Sequence, residues 1–322
     1  MPRIRNFLQL YKQWIPWILL VVVFGLSFSA RSLLLAGGIA GPIRHEALPF
    51  ERPMTNPPQR IVSLAPSVTE VLFALDLGEK VVGVTSHCRY PPSALSKEKV
   101  GDYYQPAYET ILSLRPDLVV LLPEHEEAER YLSSLGVSTL RVDHFSIQGV
   151  LDSILLIGRI CGAEVLAQQM LKDIQGRMGV IQQKAASLDR PRVMVSVGRN
   201  MGPRVIKDIY ICGQDGFYSE MIMLAGGKNA YEGGEMKFPI ISGEGIVRLN
   251  PQVILDVVPD LAESGWKEED VVGQWGQLSG VDAVAHERVY VLSHNYAVVP
   301  GPRFILILED MARRIHPEIS GG

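Results

Sequence analysis

Short apolar, β-branched runs alternate with amphipathic stretches through the first half of the chain body. Ile61–Leu64, Val81–Val84, Leu118–Leu122 and Thr139–Val142 read as buried strands of a parallel sheet, which need no polar alternation because both faces are covered. Ser67–Leu75, Tyr108–Leu114 and Glu124–Leu135 lie between them and read as helices, the alternation of βαβ units. A long helical region follows over Ile147–Ser187, with apolar Val150, Ile154, Ile157, Val165, Leu166, Met170, Ile174, Met178 and Ile181. Cys161-Gly162 predicts a break within it, leaving a second piece of about 25 residues and about 38 Å at the usual helical rise. Strand-like runs resume at Val193–Val197, Val253–Val258 and Val289–Leu292, with helices near Tyr218–Leu224 and Arg303–Ile315. They predict a second α/β lobe.

The two lobes echo one another. Glu109-Thr-Ile-Leu-Ser-Leu-Arg-Pro-Asp-Leu-Val-Val120 recurs as Glu244-Gly-Ile-Val-Arg-Leu-Asn-Pro-Gln-Val-Ile-Leu255, each a short helix turned by proline into a strand. Thr69-Glu70 and Ser219-Glu220 each open an apolar helical run closed by glycine. The organisation predicted is an N-terminal segment over 1–44, a Pro-rich linker over 45–59, an α/β lobe over 60–160, a long helix over 161–189 and a second α/β lobe over 190–322.

The N-terminal segment changes the picture of where this body works. Arg3, Arg5 and Lys12 precede an uncharged apolar run from Gln13 to Ala30, and no acidic residue occurs before Glu46. This is the layout of a secretion signal or of an uncleaved membrane anchor, with Trp14 and Trp17 suited to an interface. Either predicts that the body is exported. Leu35-Ala36-Gly37-Gly38 has the form of a lipoprotein box with glycine in place of the acylated cysteine, so a lipid anchor is not expected.

Of 322 residues, 47% are hydrophobic and 20% charged, which excludes a disordered chain. The net charge of −4 gives no footprint for nucleic acid. Cys88, Cys161 and Cys212 are too few and too scattered for a disulfide framework or a thiolate zinc site. No G-x-S-x-G, H-E-x-x-H, P-loop or dinucleotide fingerprint occurs, so no catalytic residues are expected. A metal-ion receptor or an anchored sensory module needs several converging ligands, and the seven histidines are scattered along the chain.

Arg60-Ile-Val-Ser-Leu-Ala-Pro-Ser-Val-Thr-Glu70, Gly83-Val-Thr-Ser-His-Cys-Arg-Tyr-Pro-Pro92 and Ile111-Leu-Ser-Leu-Arg-Pro-Asp-Leu-Val-Val120 together resemble the helical-backbone solute-binding proteins of ABC importers, which serve cobalamin, iron–siderophore and haem uptake. The resemblance covers about residues 59–317 and is nearest the cobalamin branch through Ser86–Pro92 and Pro300-Gly-Pro-Arg303. It implies two lobes of parallel-sheet units joined by one rigid helix, with a ligand cleft between them. It also implies a corrinoid ligand, or else a ferric siderophore or haem, and ABC permease subunits as partners. No catalytic cofactor is expected.

Under that resemblance Glu70 and Glu220 match exposed acids that dock each lobe onto the permease. Ser67-Val-Thr-Glu70 also has the spacing of a helix capping box. The loop after the second strand places Ser86, His87, Arg89 and Tyr90 at the carboxyl end of a parallel sheet, where α/β ligands bind. His87 is a candidate ligand for a bound metal, and Cys88 reads as a packed thiol. Tyr103 and Tyr104 fit an aromatic wall for a flat macrocycle. Arg199, Phe238, His294, Asn295 and Tyr296 flank strands of the second lobe and are its candidate contacts. His125, among Glu124, Glu126 and Glu127, is expected on a solvated helix face.

Overall fold

The computed structural model describes residues 56–199, 206, 208–234, 236–259 and 261–321. The expected N-terminal segment over 1–44 and most of the linker lie outside these residues, as do Asn200 and Met201. Among the described residues no helix is long and apolar enough to cross a membrane.

The first sheet is built from β1 (Ile61–Ser63), β2 (Val81–Val84), β3 (Glu98–Lys99), β4 (Leu118–Leu121) and β5 (Thr139–Arg141) in the order β3-β2-β1-β4-β5, all parallel. Its connections carry α1 (Pro66–Ala74), α2 (Tyr108–Ser113) and α3 (Glu126–Ser134). α4 (Ile147–Cys161) then leads into α5 (Glu164–Ala185), 22 residues and about 33 Å long. Gly162 sits between them at φ +77°, a left-handed conformation glycine adopts without strain.

The second sheet holds β6 (Arg192–Gly198), β7 (Ile209–Ile211), β8 (Lys228–Asn229), β9 (Ile240–Ile241), β10 (Val253–Val257) and β11 (Val289–Leu292). Its order is β11-β10-β6-β7-β9, with β8 also on β6. The β6, β10 and β11 strands are parallel, as expected for βαβ units, whereas β7 runs antiparallel to both of its neighbours, β6 and β9, and makes this sheet mixed. Its longer helices are α6 (Phe217–Leu224), α7 (Gly243–Leu249), α8 (Glu268–Trp275) and α9 (Phe304–Ile315).

The internal echo has a geometric counterpart. Arg115 at φ 46° and Asn250 at φ 41° each turn a short helix toward a proline and the next strand. In the first lobe Arg60 donates to Leu114 O and its N–H is held by Asp117 Oδ2 at 2.9 Å. In the second, Arg192 donates to Leu249 O and its N–H is held by Gln252 Oε1 at 2.9 Å. The same four roles recur, two on identical residue types (Arg60 and Arg192, Leu114 and Leu249) and two on different ones (Asp117 and Gln252, Arg115 and Asn250), as duplication and drift would leave them.

Alternation along each strand sends side chains to opposite faces. Val62, Leu64, Val119 and Leu121 pack with Ala128 and Leu132 on one face of the first sheet, while Ile61 and Val120 join the cluster on the other. That second cluster continues through Ile154, Ile157, Leu171 and Ile174 of α4 and α5 into Val193, Val195, Val253 and Leu255 of the second sheet. One close-packed core therefore spans both lobes, and relative motion of the lobes would open it.

Candidate functional site

A cleft opens between the carboxyl ends of the two sheets in two adjoining chambers of about 480 and 640 Å³. Both share Tyr103, Tyr104, Leu122, Val298 and Pro300, which form the waist. Each chamber lies within the roughly 300–1,000 Å³ usual for ligand sites, so together they suit a large ligand. His87, Arg89, Tyr90, Asp102 and Asn295 line the first chamber, and Phe145, Asp215, Tyr218, Lys237 and Phe238 the second.

The back wall of the first chamber is an ion pair that joins the lobes. Arg303 grips Glu70 through two hydrogen bonds of 2.8 and 2.5 Å, and the Glu70 side chain is only 3% exposed. Its guanidinium also donates to Asn295 Oδ1 and lies 3.7 Å from the centre of the Tyr90 ring. Burial pushes the Glu70 carboxyl above its ordinary pKa, and the hydrogen bonds and charge of Arg303 oppose this without overcoming it. The expected exposed acid is therefore corrected: Glu70 is buried and occupied. The expected capping box is absent too, because α1 begins at Pro66 and Ser67 turns to His144 instead.

Glu220 is half-buried. Its Oε2 accepts the Ile147 N–H at 2.7 Å, capping α4 beside Ser146, whose hydroxyl accepts from Gly149 N. Burial raises its pKa, and the Ile147 N–H acts the other way.

Two histidines that the sequence reading left out of the site support it. His125 is buried, contrary to the solvated face expected, because the helix begins after it and the ring folds back under the cleft. Leu122 N–H donates to its Nδ1 at 3.1 Å, so the ring proton sits on Nε2 and is donated to Tyr103 O at 2.8 Å. His144 is also buried. Ser153 donates to Val150 O and so accepts from His144 Nε2, leaving Nδ1 to accept from Ser67 at 2.7 Å. Burial pushes the His144 pKa down to about 4.

Of the residues expected to meet ligand, His87, Arg89, Tyr90, Tyr103, Tyr104, Phe238 and Asn295 line the cleft. Four do not. Arg199 points to the far face of the second sheet, where its side chain is 2% exposed, paired with Asp256 at 2.9 Å and beside Gln274 and Trp275. A strand-end position alone left its facing undetermined. His294 stacks on Tyr296 at 4.8 Å, outside the described lining residues, and Ser86 leans on His87 at 3.4 Å. Cys88 is a packed thiol, bonded by Thr69 and Thr85. Arg303 lines the first chamber and is not among the expected contacts, although its Pro300-Gly-Pro-Arg303 motif stands in the sequence. Among the described residues no cluster of three metal-ligating side chains occurs.

Residues 61–296 match the family model described as periplasmic binding protein. An uncharacterized ABC transporter substrate-binding lipoprotein of Bacillus subtilis is 36% identical over 266 residues, covering 81% of each chain. A vitamin B12-binding protein of Vibrio cholerae is 26% identical over 79% of this chain and 88% of its own. Among solved structures, the periplasmic vitamin B12 binding protein of Vibrio cholerae superposes with a TM-score of 0.69 at 25% identity, covering 83% of this chain and 99% of that one. The periplasmic heme-binding protein of Roseiflexus sp. RS-1, in its apo form, gives 0.68 at 25%, covering 81% and 99%.

Proposed function

This chain belongs to the periplasmic binding protein family and is a substrate-binding protein of an ABC transporter, and on that premise we propose that its cleft captures a corrinoid and delivers it to the permease outside the cytoplasm. The observation that carries the choice of ligand is the charge balance of the cleft. Its described lining holds four acids, Glu70, Asp102, Glu124 and Asp215, against three cations, Arg89, Arg303 and Lys237. Two of the cations are paired with carboxylates, Arg89 with Glu263 and Arg303 with Glu70, while Lys237 lies over the Phe145 ring and keeps its charge. Such a lining disfavours a ligand that brings two carboxylates, as haem does, because they would meet three further acids, Asp102, Glu124 and Asp215, with Lys237 alone as counter-charge outside an ion pair. It suits a large macrocycle fringed with neutral amides, with Tyr103 and Tyr104 at the waist supplying aromatic area. The vitamin B12-binding relatives support the same choice.

The alternative is haem or a ferric siderophore. It is favoured by Tyr104, 83% exposed at the waist, and by exposed His87 in the same chamber, two side chains of the kind that ligate iron. Calorimetric titration with cyanocobalamin, haemin and a ferric hydroxamate decides between them. Saturable one-to-one heat with cyanocobalamin is expected, and silence there with saturation by an iron complex overturns the corrinoid.

Release is driven by the permease, since the receptor performs no chemistry. Docking through Glu220, and through Glu70 once Arg303 lets it go, is part of the proposal. Glu220→Lys is expected to keep ligand affinity and abolish transport, and a matching loss of affinity refutes that role.

A further inference from the structure

We propose that His125 is the positioning residue of the aromatic waist, and that its protonation releases Tyr103 and Tyr104 from the cleft wall. The pH dependence of ligand affinity rests on the corrinoid reading above; the release of the loop does not.

Residues 101–106 form a loop whose base is stapled to itself. Gly101 and Pro106 pair as a bridge, and Asp102 Oδ1 accepts from Tyr104 N at 2.8 Å and Gln105 N at 2.7 Å. The tip carrying the two tyrosines is tied to the start of α3 by His125, whose Nε2–H donates to Tyr103 O. The Tyr103 ring stands edge-on to His125 at 4.8 Å and edge-on to Tyr104 at 4.9 Å. Through Nδ1 the same imidazole accepts from Leu122 N, and Leu122 with Tyr103 and Tyr104 lines both chambers. One buried ring therefore sets three of the five residues at the waist.

The tie needs the neutral ring. A proton on Nδ1 would face the Leu122 N–H, two donors 3.1 Å apart with no acceptor between them. The ring must turn or the amide must move, and either loosens the bond to Tyr103. Two groups face the imidazole: Glu124 on its own turn favours the charged ring, and Tyr103 from the loop accepts its proton. The Tyr103 phenol stays neutral, since burial pushes its pKa to about 12. Burial lowers the His125 pKa more than Tyr103 O and Glu124 raise it, so the wall is assembled at neutral pH and released in acid.

Two measurements on the purified full chain test this. Amide exchange at residues 101–105, corrected for intrinsic rates, is expected to quicken several-fold between pH 7.5 and 4 in the wild type and to stay level in His125→Gln, which keeps a donor for Tyr103 O and does not titrate. Cyanocobalamin affinity is expected to weaken by up to tenfold per pH unit below the His125 pKa, the limit for one linked proton. His125→Gln should lose that slope, His125→Phe should bind weakly at every pH, and His87→Gln should retain the slope whatever its affinity. A wild-type slope in His125→Gln, or loop exchange unchanged by pH in the wild type, overturns the proposal. If cyanocobalamin fails to bind at any pH the ligand assignment falls, while the exchange data still decide the role of His125.

Discussion

Removing Arg303 tests the inter-lobe pair most directly. Arg303→Met keeps the bulk of the stem but leaves Glu70 charged, 3% exposed and without its counter-ion. Breaking a buried pair from one side costs about 3–5 kcal/mol. Arg303 is itself 15% exposed, which admits some solvent and favours the lower end of that range. Loss of the stack on Tyr90 adds about 0.5–1 kcal/mol. The double variant Glu70→Gln/Arg303→Met removes both charges. It should retain the stacking loss and the cost of a buried amide at position 70 left without Arg303, about 1.5–4 kcal/mol together. The carboxyl pKa is already raised by burial and rises further without Arg303. A raised folded-state value means stability that is present below the ordinary 4.5 and lost as pH climbs through the folded value. The single variant should therefore be worst at pH 7.5 and close to the double variant at pH 4.5. Urea midpoints of the three proteins at both pH values measure this, and other titrating groups cancel in the differences. A deficit below about 1 kcal/mol at pH 7.5, the worth of an exposed pair, would refute the reasoning. So would a deficit that does not shrink in acid.

Three further outcomes follow from the same geometry. Tyr104→Ala should weaken ligand binding about tenfold, the worth of one aromatic contact, and leave the urea midpoint unchanged because the ring is 83% exposed; a lowered midpoint would mean that it packs against the lobe instead. His144 has its pKa lowered from 6.5 to about 4, so its stabilisation is present above pH 6.5 and lost as pH falls toward 4, about 3 kcal/mol in all. His144→Gln should flatten stability over that window, and an unchanged slope assigns the titration elsewhere. Cys88, Cys161 and Cys212 are free and buried, with thiols pushed up to about 11 at Cys161 and about 12 at Cys212; Ellman's reagent should read none in the native protein and three after denaturation, and a fast-reacting thiol would contradict their burial.

What the sequence made legible and what it hid divide by the range of the interaction. Strands such as Leu118–Leu121 and Val253–Val257 announce themselves because burial on both faces demands a continuous apolar run. The two-residue strands Glu98–Lys99, Lys228–Asn229 and Ile240–Ile241 are too short to carry a period, and Ile209–Ile211 offers one alternation. Loop residues at strand ends reach the cleft mouth, where topology puts them, yet the same rule fails for Arg199, which lies on the far face. Its facing depends on Asp256 and Trp275, which no local pattern links to it. The same limit explains His125 and Glu70. A histidine amid glutamates has the look of a solvated face until a loop 22 positions earlier supplies the carbonyl that buries it. A glutamate in a first helical turn has the look of a cap until an arginine 233 positions later takes both its oxygens. In each case the side chain's chemistry was visible and its partner was not. The errors therefore fall on polar residues, because apolar burial follows from the periodicity of a single element, whereas a buried charge or imidazole is stable only through one partner at one geometry supplied by another part of the fold.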